Sequence, residues 1–566
     1  MKKSLWSIAL WLCLVQGKTI ATQPPQQVQQ QPGTIETPVI KVTTRLVQVN
    51  VVVHNKKGEA VSDLAKDDFV LFDKGQEQKI LFFSKESSEA LPANIPPLAP
   101  GVVSNRYTNF TSGGLKHLAP IPTSLTVILL DGLNTAFTDQ HYAKEALIKF
   151  LNQLRPADRV AIYTLANGLR VLHDFTSDTE SLLAALQKHR NQDSSALSAS
   201  SYDDANTGDD DLDSFLDRSN EAIATFYQAR RAQTTLDALQ TIAHHLAGMP
   251  GRKNLIWLSG SFPTLVGLGP DGSPGQDFQD FSNDMQRAWR TMNDSGIAIY
   301  PVDARGLMGA FTMSPSMSPA SRGKAPARGQ TPRGQAPMDQ RAQTGILQTQ
   351  GTMREIADRT GGRAFMNTND LTGAIHQAMD DARVTYVLAY SPSNDQWDNR
   401  FREIKLKLNR PGLEARYRKG YYAYAERPTD PKLREAILSE AATTPLASTG
   451  LTILATVAHA STPENPRTSL RMIMDPREVA FGQNAEGKRE ATLDLLLVVF
   501  DDKGKPLHQL VRTLRPSMDE ATFGAAQKNG MAINVDSDTP EKSARVRLIV
   551  HDLLSGLVGS VDLSVK

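Results

Sequence analysis

The sequence predicts an α/β protein: a central doubly wound domain of parallel strands and covering helices, flanked by β-sandwich-like domains. Three observations predict it. Leu125-Thr126-Val127-Ile128-Leu129-Leu130 runs unbroken into Asp131, and a continuous apolar or β-branched run of that length is a strand buried on both faces, as in a parallel sheet. From residue 125 to residue 383, strand-like and helical patterns alternate, as they do where helices pack on a sheet. On either side, residues 39–84 and 451–566 carry short apolar strands separated by Asn, Asp and Gly turns, the pattern of small sandwiches.

The chain has 566 residues, and domains of ~100–200 residues make that three or four of them. With 62 basic against 61 acidic side chains the net charge is +1. Nothing in that balance steers the whole molecule toward nucleic acid or an anionic membrane.

Residues 1–21 read as a signal peptide. Met1-Lys2-Lys3 is the basic start, and the largely apolar run Leu5 to Val15 is too short to span a bilayer comfortably. Thr19 and Ala21 supply the small residues of one cleavage site, and Val15-Gln16-Gly17 is a second; an uncleaved anchor is the alternative reading. Cys13, the one cysteine, leaves with the signal. The mature chain then has neither disulfide nor thiol chemistry and relies on packed cores. The expectation is an exported protein, periplasmic, secreted or at the cell surface, with no integral membrane segment once the signal is removed.

Residues 22–38, rich in Gln, Pro and Thr, read as a disordered linker. Residues 39–84 read as a small β domain, with Leu46 to Val53, Val70-Leu71-Phe72 and Ile80 to Phe83 as strands and Asn55 to Gly58 and Asp73-Lys74-Gly75 as turns. Residues 85–124 read as a linker. In the central domain, Val127–Leu130 is followed by a helix from Asp139 to Leu154, with Ala143, Leu147, Phe150 and Leu151 on one face. Val160–Leu165 and Leu169–Leu172 form a hairpin at Asn167-Gly168. Helices follow at Ser181–Lys188 and Thr234–Leu246, a strand at Asn254–Leu258, a helix at Phe278–Asn293 and a strand at Ile297–Val302. A helix at Thr352–Arg359 stops at Gly361-Gly362, Ala364-Phe365 is a short strand, and Leu371–Arg383 is the closing helix.

Two insertions interrupt the domain. Residues 190–221 hold nine acidic side chains against Arg190 and Arg218, and residues 306–350 hold five basic ones against Asp339. Loops of that length are either functional or disordered. Here they read as an acidic and a basic lid over the carboxyl-end face, or as two solvated loops. Residues 384–424 are strand-like and complete the amino-terminal β domain or extend it; 426–450 read as a helical linker, and 451–566 as a second sandwich-like domain.

Asp131 ends the buried strand, and in open α/β sheets ligands bind beyond the carboxyl ends of strands near the switch point. Enzyme signatures are absent: there is no Gly-x-Ser-x-Gly, no His-Glu-x-x-His and no phosphate loop. Asp203-Asp204 and Asp209 to Asp213 lack the spacing and closing Glu of a calcium loop. His244 and His245, adjacent on a helix, point to different faces, one packed and one exposed. Asp67-Asp68 and Asp380-Asp381 read as surface or capping residues.

The run ending in Asp131, the hairpin, the helix order and Asn254 to Ser261 resemble a von Willebrand factor type A domain. More narrowly, Lys66-Asp67-Asp68-Phe69 with Asp73-Lys74-Gly75, Pro250 to Leu255, Tyr386 to Pro392 and Tyr417 to Tyr422 resemble the acidobacterial group of VWFA-related exported proteins. The resemblance covers roughly residues 40–425. It implies a Rossmann-like fold, a protein-binding role and a cation, Mg²⁺ or Ca²⁺, held by oxygen ligands. Carried over residue by residue, the ligands are Asp131, Asn134, Thr135, either Thr234 or Thr235, and Ser259. Two departures make the site degenerate: Leu133 stands where a hydroxyl is expected, and Ser259-Gly260-Ser261 replaces Thr-Asp-Gly. The other reading of Asp131 is a cap that bonds the backbone amides of its own turn.

The sequence therefore leads to an exported, non-enzymatic binding protein of the adhesion type, recognising a protein or a surface polymer through the Asp131 face. The alternative is a periplasmic structural or assembly protein whose β domains make the contacts without metal.

Overall fold

The computed structural model describes residues 46–87, 101–105, 124–307 and 336–565, less short stretches within them such as 200–206, 269–273, 424–430 and 460–466. The stretches read from sequence as a signal peptide (1–21) and a linker (22–38), and residues 308–335 of the basic stretch, lie outside the described residues. The chain is mixed α/β and carries several sheets.

The central sheet is built from β1 (Ser124–Asp131), β2 (Val160–Leu165), β3 (Leu169–Thr176), β4 (Arg252–Ser259) and β5 (Ile297–Asp303), in the order β5-β4-β1-β2-β3. β3 is antiparallel to β2 across the Asn167-Gly168 hairpin, and the other neighbours are parallel. Every residue of β2, β4 and β5 is buried, which is why their sequences read as continuous apolar runs rather than alternating ones.

Helices cover both faces. α1 (Phe137–Leu151), α2 (Thr179–Lys188) and α6 (Leu371–Asp380) bury Leu147, Phe150, Leu182, Leu186 and Ile375 against Ile128, Ile162 and Ile256. α3 (Asp210–Leu246), α4 (Ser282–Asp294) and α5 (Ala336–Thr360) bury Leu239, Ile242, Trp289 and Ile356 against Val127, Leu129 and Trp257. Each large side chain so removed from water contributes roughly 1.5–3 kcal/mol.

α5 ends on the Gly361-Gly362 pair. Gly361 has φ +77°, and the Gly362 amide donates to Ala357 O at 2.9 Å, a Schellman closure. A Cβ on Gly362 would lie 1.9 Å from Ile299 O in β5. Gly362→Ala is therefore expected to cost about 2 kcal/mol or more through overpacking, read as a lower midpoint in urea unfolding. An unchanged midpoint would refute that contact. Just beyond, Phe365 bridges to Val302 in parallel, its amide donating to Pro301 O at 2.8 Å.

Strands from before and after the central domain share sheets. Val47–Asn55, Ile80–Ser87, Val384–Tyr390 and Leu413–Arg416 form one; Phe69–Asp73, Gln76–Gln78, Phe401–Leu408 and Gly420–Tyr422 form another. Val49, Val51, Leu71, Tyr386, Leu388 and Ile404 belong to one core drawn from both. Toward the C-terminus, Ile453–His459, Arg467–Met474 and Met531–Asp538 form a sheet, and Leu493–Phe500, Pro506–Leu514, Arg545–Asp552 and Val558–Ser564 form a second.

Several expectations are corrected. Val102–Ser104, inside the stretch read as a linker, is an edge strand paired with Ile453–His459. Asn105 fixes it there: Nδ2 donates to Ser448 O at 2.8 Å and Leu451 O at 2.7 Å, and Oδ1 accepts from the Ile453 amide at 2.9 Å. The acidic stretch is not all loop. It holds a helical turn at Ser195–Ser198 and the first turns of α3, which begins at Asp210 under the Asp209 cap. α5 begins at Ala336 rather than Thr352, so part of the basic stretch is helical. Phe278 lies in a strand, Pro274–Asp280, paired with Leu265–Leu268, and α4 starts only at Ser282.

Asp381 is not a surface residue either; it is 2% exposed. Oδ1 accepts from His54 Nε2 at 2.9 Å, Arg416 Nη1 donates to both oxygens at 3.2 and 3.0 Å, and the Tyr300 hydroxyl donates to Oδ2 at 3.0 Å. Arg252 Nη2 in turn donates to the Tyr300 oxygen and to Gly361 O, both at 2.9 Å. This buried network ties β4, β5 and α6 to the flanking strands that carry His54 and Arg416.

Candidate functional site

β1 lies between β2 and β4, and the connections leave it in opposite directions, so the switch point falls between the carboxyl ends of β1 and β4. The register sets Asp131 opposite Leu165, and Ser259 opposite Asp303. The loops after β1 and β4 meet there closely. A Cβ on Gly260 would lie 3.1 Å from Asn134 O and 3.3 Å from Thr135 Cα. Leu133 does not face this crevice. It is 6% exposed and belongs to the core on the α3 side of the sheet, which accounts for an apolar residue where the resemblance implies a hydroxyl.

Asp131 is 2% exposed and accepts five hydrogen bonds. Oδ1 takes the Leu133 and Asn134 amides at 3.1 and 3.0 Å. Oδ2 takes Asn134 Nδ2 at 2.9 Å, Trp257 Nε1 at 3.0 Å and Ser259 Oγ at 2.8 Å. Two carboxylate oxygens offer about four lone-pair sites, so this acceptor is saturated by the protein itself. Burial pushes its carboxyl upward, and the Asn134, Ser259 and Trp257 donors pull it back toward the ionised form.

The surrounding residues complete a closed cluster. Asn134 Nδ2 also donates to Thr235 Oγ1 at 2.8 Å. Asn134 Oδ1 accepts from Arg231 Nε at 3.1 Å, and Arg231 Nη2 donates to Ser261 Oγ at 3.2 Å. Thr135 Oγ1 accepts from the Gly260 amide at 2.9 Å. Arg231 is 4% exposed; burial lowers its pKa to about 10, with the Asp131 charge opposing that fall. It stays protonated at neutral pH, so a fixed guanidinium faces the Asp131–Asn134 pair.

Asp131, Asn134, Thr135, Thr235 and Ser259 are therefore brought together. Thr234 is not: its hydroxyl donates to Arg230 O at 2.8 Å along its own helix. The sequence reasoning missed Arg231, Trp257 and Ser261. The signal for Arg231 was its place one turn before Thr235 on the same helix face.

As they stand, these residues do not fit a divalent cation. The carboxylate oxygens and the Asn134 carbonyl are taken by donors, and Arg231 already supplies the positive charge. Among the described residues no group of three or more His, Cys, Asp or Glu side chains is placed to hold a metal ion. Beside the cluster a small pocket of about 30 Å³ is lined by Asp131, Thr135, Gln140, Thr164, His189 and Gln192. Gln140 Nε2 holds its wall, donating to Thr135 O at 2.8 Å and Gln192 O at 3.1 Å. The nearby histidine pair divides as its spacing implies: His245 is 1% exposed with Nδ1 2.7 Å from Ala447 O, and His244 is partly exposed beside Glu440. No helix of the described residues is long and apolar enough to cross a membrane.

No protein-family model and no curated protein matches the chain. Solved structures with a similar arrangement include an aerotolerance-related membrane protein from Bacteroides fragilis, 13% identical over 46% of this chain and 98% of that one, with a TM-score of 0.24. BatB from Bacteroides thetaiotaomicron is 13% identical over 46% and 97%, with a TM-score of 0.21. The SpRpn10 VWA domain is 17% identical over 32% and 74%, with a TM-score of 0.17.

Proposed function

We propose that this is an exported, non-catalytic binding protein of the von Willebrand factor type A class. Its recognition surface lies at the carboxyl end of the central sheet, away from the flanking β strands that meet the amino-terminal end at Gly248, Lys253 and Gly296, and takes a protein or a surface polymer. The observation that carries this reading is the charge arrangement at the switch point. An aspartate, two threonines and a serine converge there, and the buried Arg231 guanidinium, bonded to Asn134 Oδ1 and Ser261 Oγ, supplies a fixed positive charge beside them. The residues for Mg²⁺ or Ca²⁺, Asp131, Asn134, Thr135, Thr235 and Ser259, then form a latent site that a metal enters only once Arg231 is removed.

Thermal unfolding with and without Mg²⁺, Ca²⁺ and chelator tests the fixed cation. The wild-type midpoint is expected to be indifferent to all three. Arg231→Ala frees Asn134 Oδ1 and removes the fixed positive charge that repels a cation, and its midpoint is expected to rise with Mg²⁺. Ligand at a hundred times its Kd stabilises by about 2.7 kcal/mol. A wild-type midpoint that rises with Mg²⁺ and falls with chelator would overturn the internal-cation reading and restore the metal site.

A second reading, a periplasmic structural or assembly role, is favoured by one observation. The edge strand Pro506–Leu514 leaves Val511 55% exposed, and an edge of that kind is a template for strand pairing. Photo-crosslinkers at Ser261 and at Val511, used on intact cells, separate the two. A cross-linked partner at Ser261 supports recognition at the sheet end; one at Val511 alone moves the function to the β strands.

A further inference from the structure

α3 is 37 residues long, and its two ends are treated differently. Its C-terminal half buries Leu236, Leu239, Ile242 and Leu246 in the core. Along its N-terminal half the inward positions Ala224, Thr225 and Ala229 are buried, but Leu212 is 45%, Phe215 60%, Ile223 51% and Phe226 60% exposed. At 3.6 residues per turn these four lie on one face together with Ser219 and Ala222. Contiguous apolar surface of this kind marks an interaction site.

The spacing says what covers it. Leu212 and Phe226 each stand seven residues from Ser219, and Phe215 and Ile223 each stand four. The stripe is its own mirror image about Ser219. Two copies packed antiparallel about a two-fold axis at Ser219 set Leu212 on Phe226 and Phe215 on Ile223, each contact made twice. An isologous interface requires that self-complementarity, and a partner of another kind does not. Ser219 is small enough for two helices to approach at the axis, and its hydroxyl already donates to Phe215 O at 3.0 Å. The charges agree: this register brings exposed Arg230 of one copy beside Asp209 of the other.

We infer that the protein forms a two-fold dimer through antiparallel pairing of the N-terminal half of α3. The inference goes beyond the proposed binding role and does not depend on it.

The test uses the full chain with Cys13→Ser, so that each introduced cysteine is alone. Ser219→Cys is expected to form a disulfide-linked dimer on mild oxidation, since a residue on the axis faces its own copy within disulfide reach. Glu221→Cys, on the far side of the helix, is expected to stay unlinked. Leu212→Cys is expected to link to Phe226→Cys when the two variants are mixed, and not to itself. In sedimentation equilibrium the wild type is expected as a dimer and Phe226→Asp as a monomer with an unchanged far-ultraviolet spectrum. A monomeric wild type, equal linking at 219 and 221, or a dimer indifferent to Phe226→Asp would each overturn the inference.

Discussion

Asp131→Ala is expected to lower the free energy of unfolding by about 3 kcal/mol or more, since several hydrogen bonds to one buried carboxylate are lost at once, each worth about 1.5–3 kcal/mol when one partner is charged. The substitution strands Trp257 Nε1 and takes one acceptor each from Ser259 Oγ and Asn134 Nδ2, all within 3.0 Å of one carboxylate oxygen. It also removes the carboxylate charge that favours the protonated Arg231 guanidinium. An unmade buried hydrogen bond carries the full desolvation cost of its donor, so the loss exceeds that of an ordinary capping residue. Arg231→Met in the same background is expected to recover part of it, because the buried charge that Asp131 favours goes too. The coupling between the two substitutions, taken from a double-mutant cycle in urea, measures the pair itself. An aspartate that served only a metal would behave differently: in chelator, Asp131→Ala would match the wild type.

Asp381→Ala is expected to be of similar size, about 3–5 kcal/mol, because it leaves Arg416, His54 and the Tyr300 hydroxyl facing an empty buried position. This site also carries a pH signature. Burial pushes the Asp381 carboxyl up, but the His54 hydrogen bond and the Arg416 charge outweigh it and hold the carboxyl below its ordinary value. A depressed carboxyl binds fewer protons in the native state than in the unfolded chain. Its contribution is therefore complete above about pH 4, where an unfolded aspartate is already ionised, and is lost as pH falls through the lower native value. Unfolding free energy measured from neutral pH into acid is expected to fall more steeply for the wild type than for Asp381→Asn. Parallel curves would remove Asp381 from the acid response.

The central sheet was legible because its determinants are local. Leu125 to Leu130 announces a doubly buried strand, Asn167-Gly168 a hairpin and Gly361-Gly362 a helix stop, each within a few residues. The first turns of α3 were not legible as helix for a physical reason. Their large apolar residues face outward among Asp209, Asp211, Asp213 and Asp217, so the segment reads as a charged loop. Val102–Ser104 is three residues long, and its hydrogen-bonding partner begins at Ile453; nothing near it in the chain marks it as a strand. At the site, Asp131, Asn134, Thr135 and Ser259 could be named from motif positions. Arg231 had only its place one turn before Thr235 to mark it, because an arginine on a helix is usually solvated, and the folded chain alone brings it to Asn134, 97 positions away. Of the two readings of Asp381 the capping one holds, since it caps Leu371–Asp380; its burial was illegible because its three partners come from residues 54, 300 and 416.

The placement of Val102–Ser104 has a consequence for the chain as a thread. One β body is assembled from residues 47–87 and 384–422, the other from 102–104 and 453–564, and the two sets interleave along the sequence. A cut anywhere between 106 and 383 leaves both bodies spanning the break, so two fragments stay held through two sheets. Trypsin acting on surface loops there yields a nicked protein that travels as one particle until denatured. The same interleaving limits what recombination can move. Residues 124–380 form a contiguous cassette that can be exchanged whole, whereas neither β body can be lifted out as a single length of gene. An exchange has to keep the Arg252–Tyr300 link to Asp381 and the Gly248 contact with Thr449, the points where the segment is fastened to its frame.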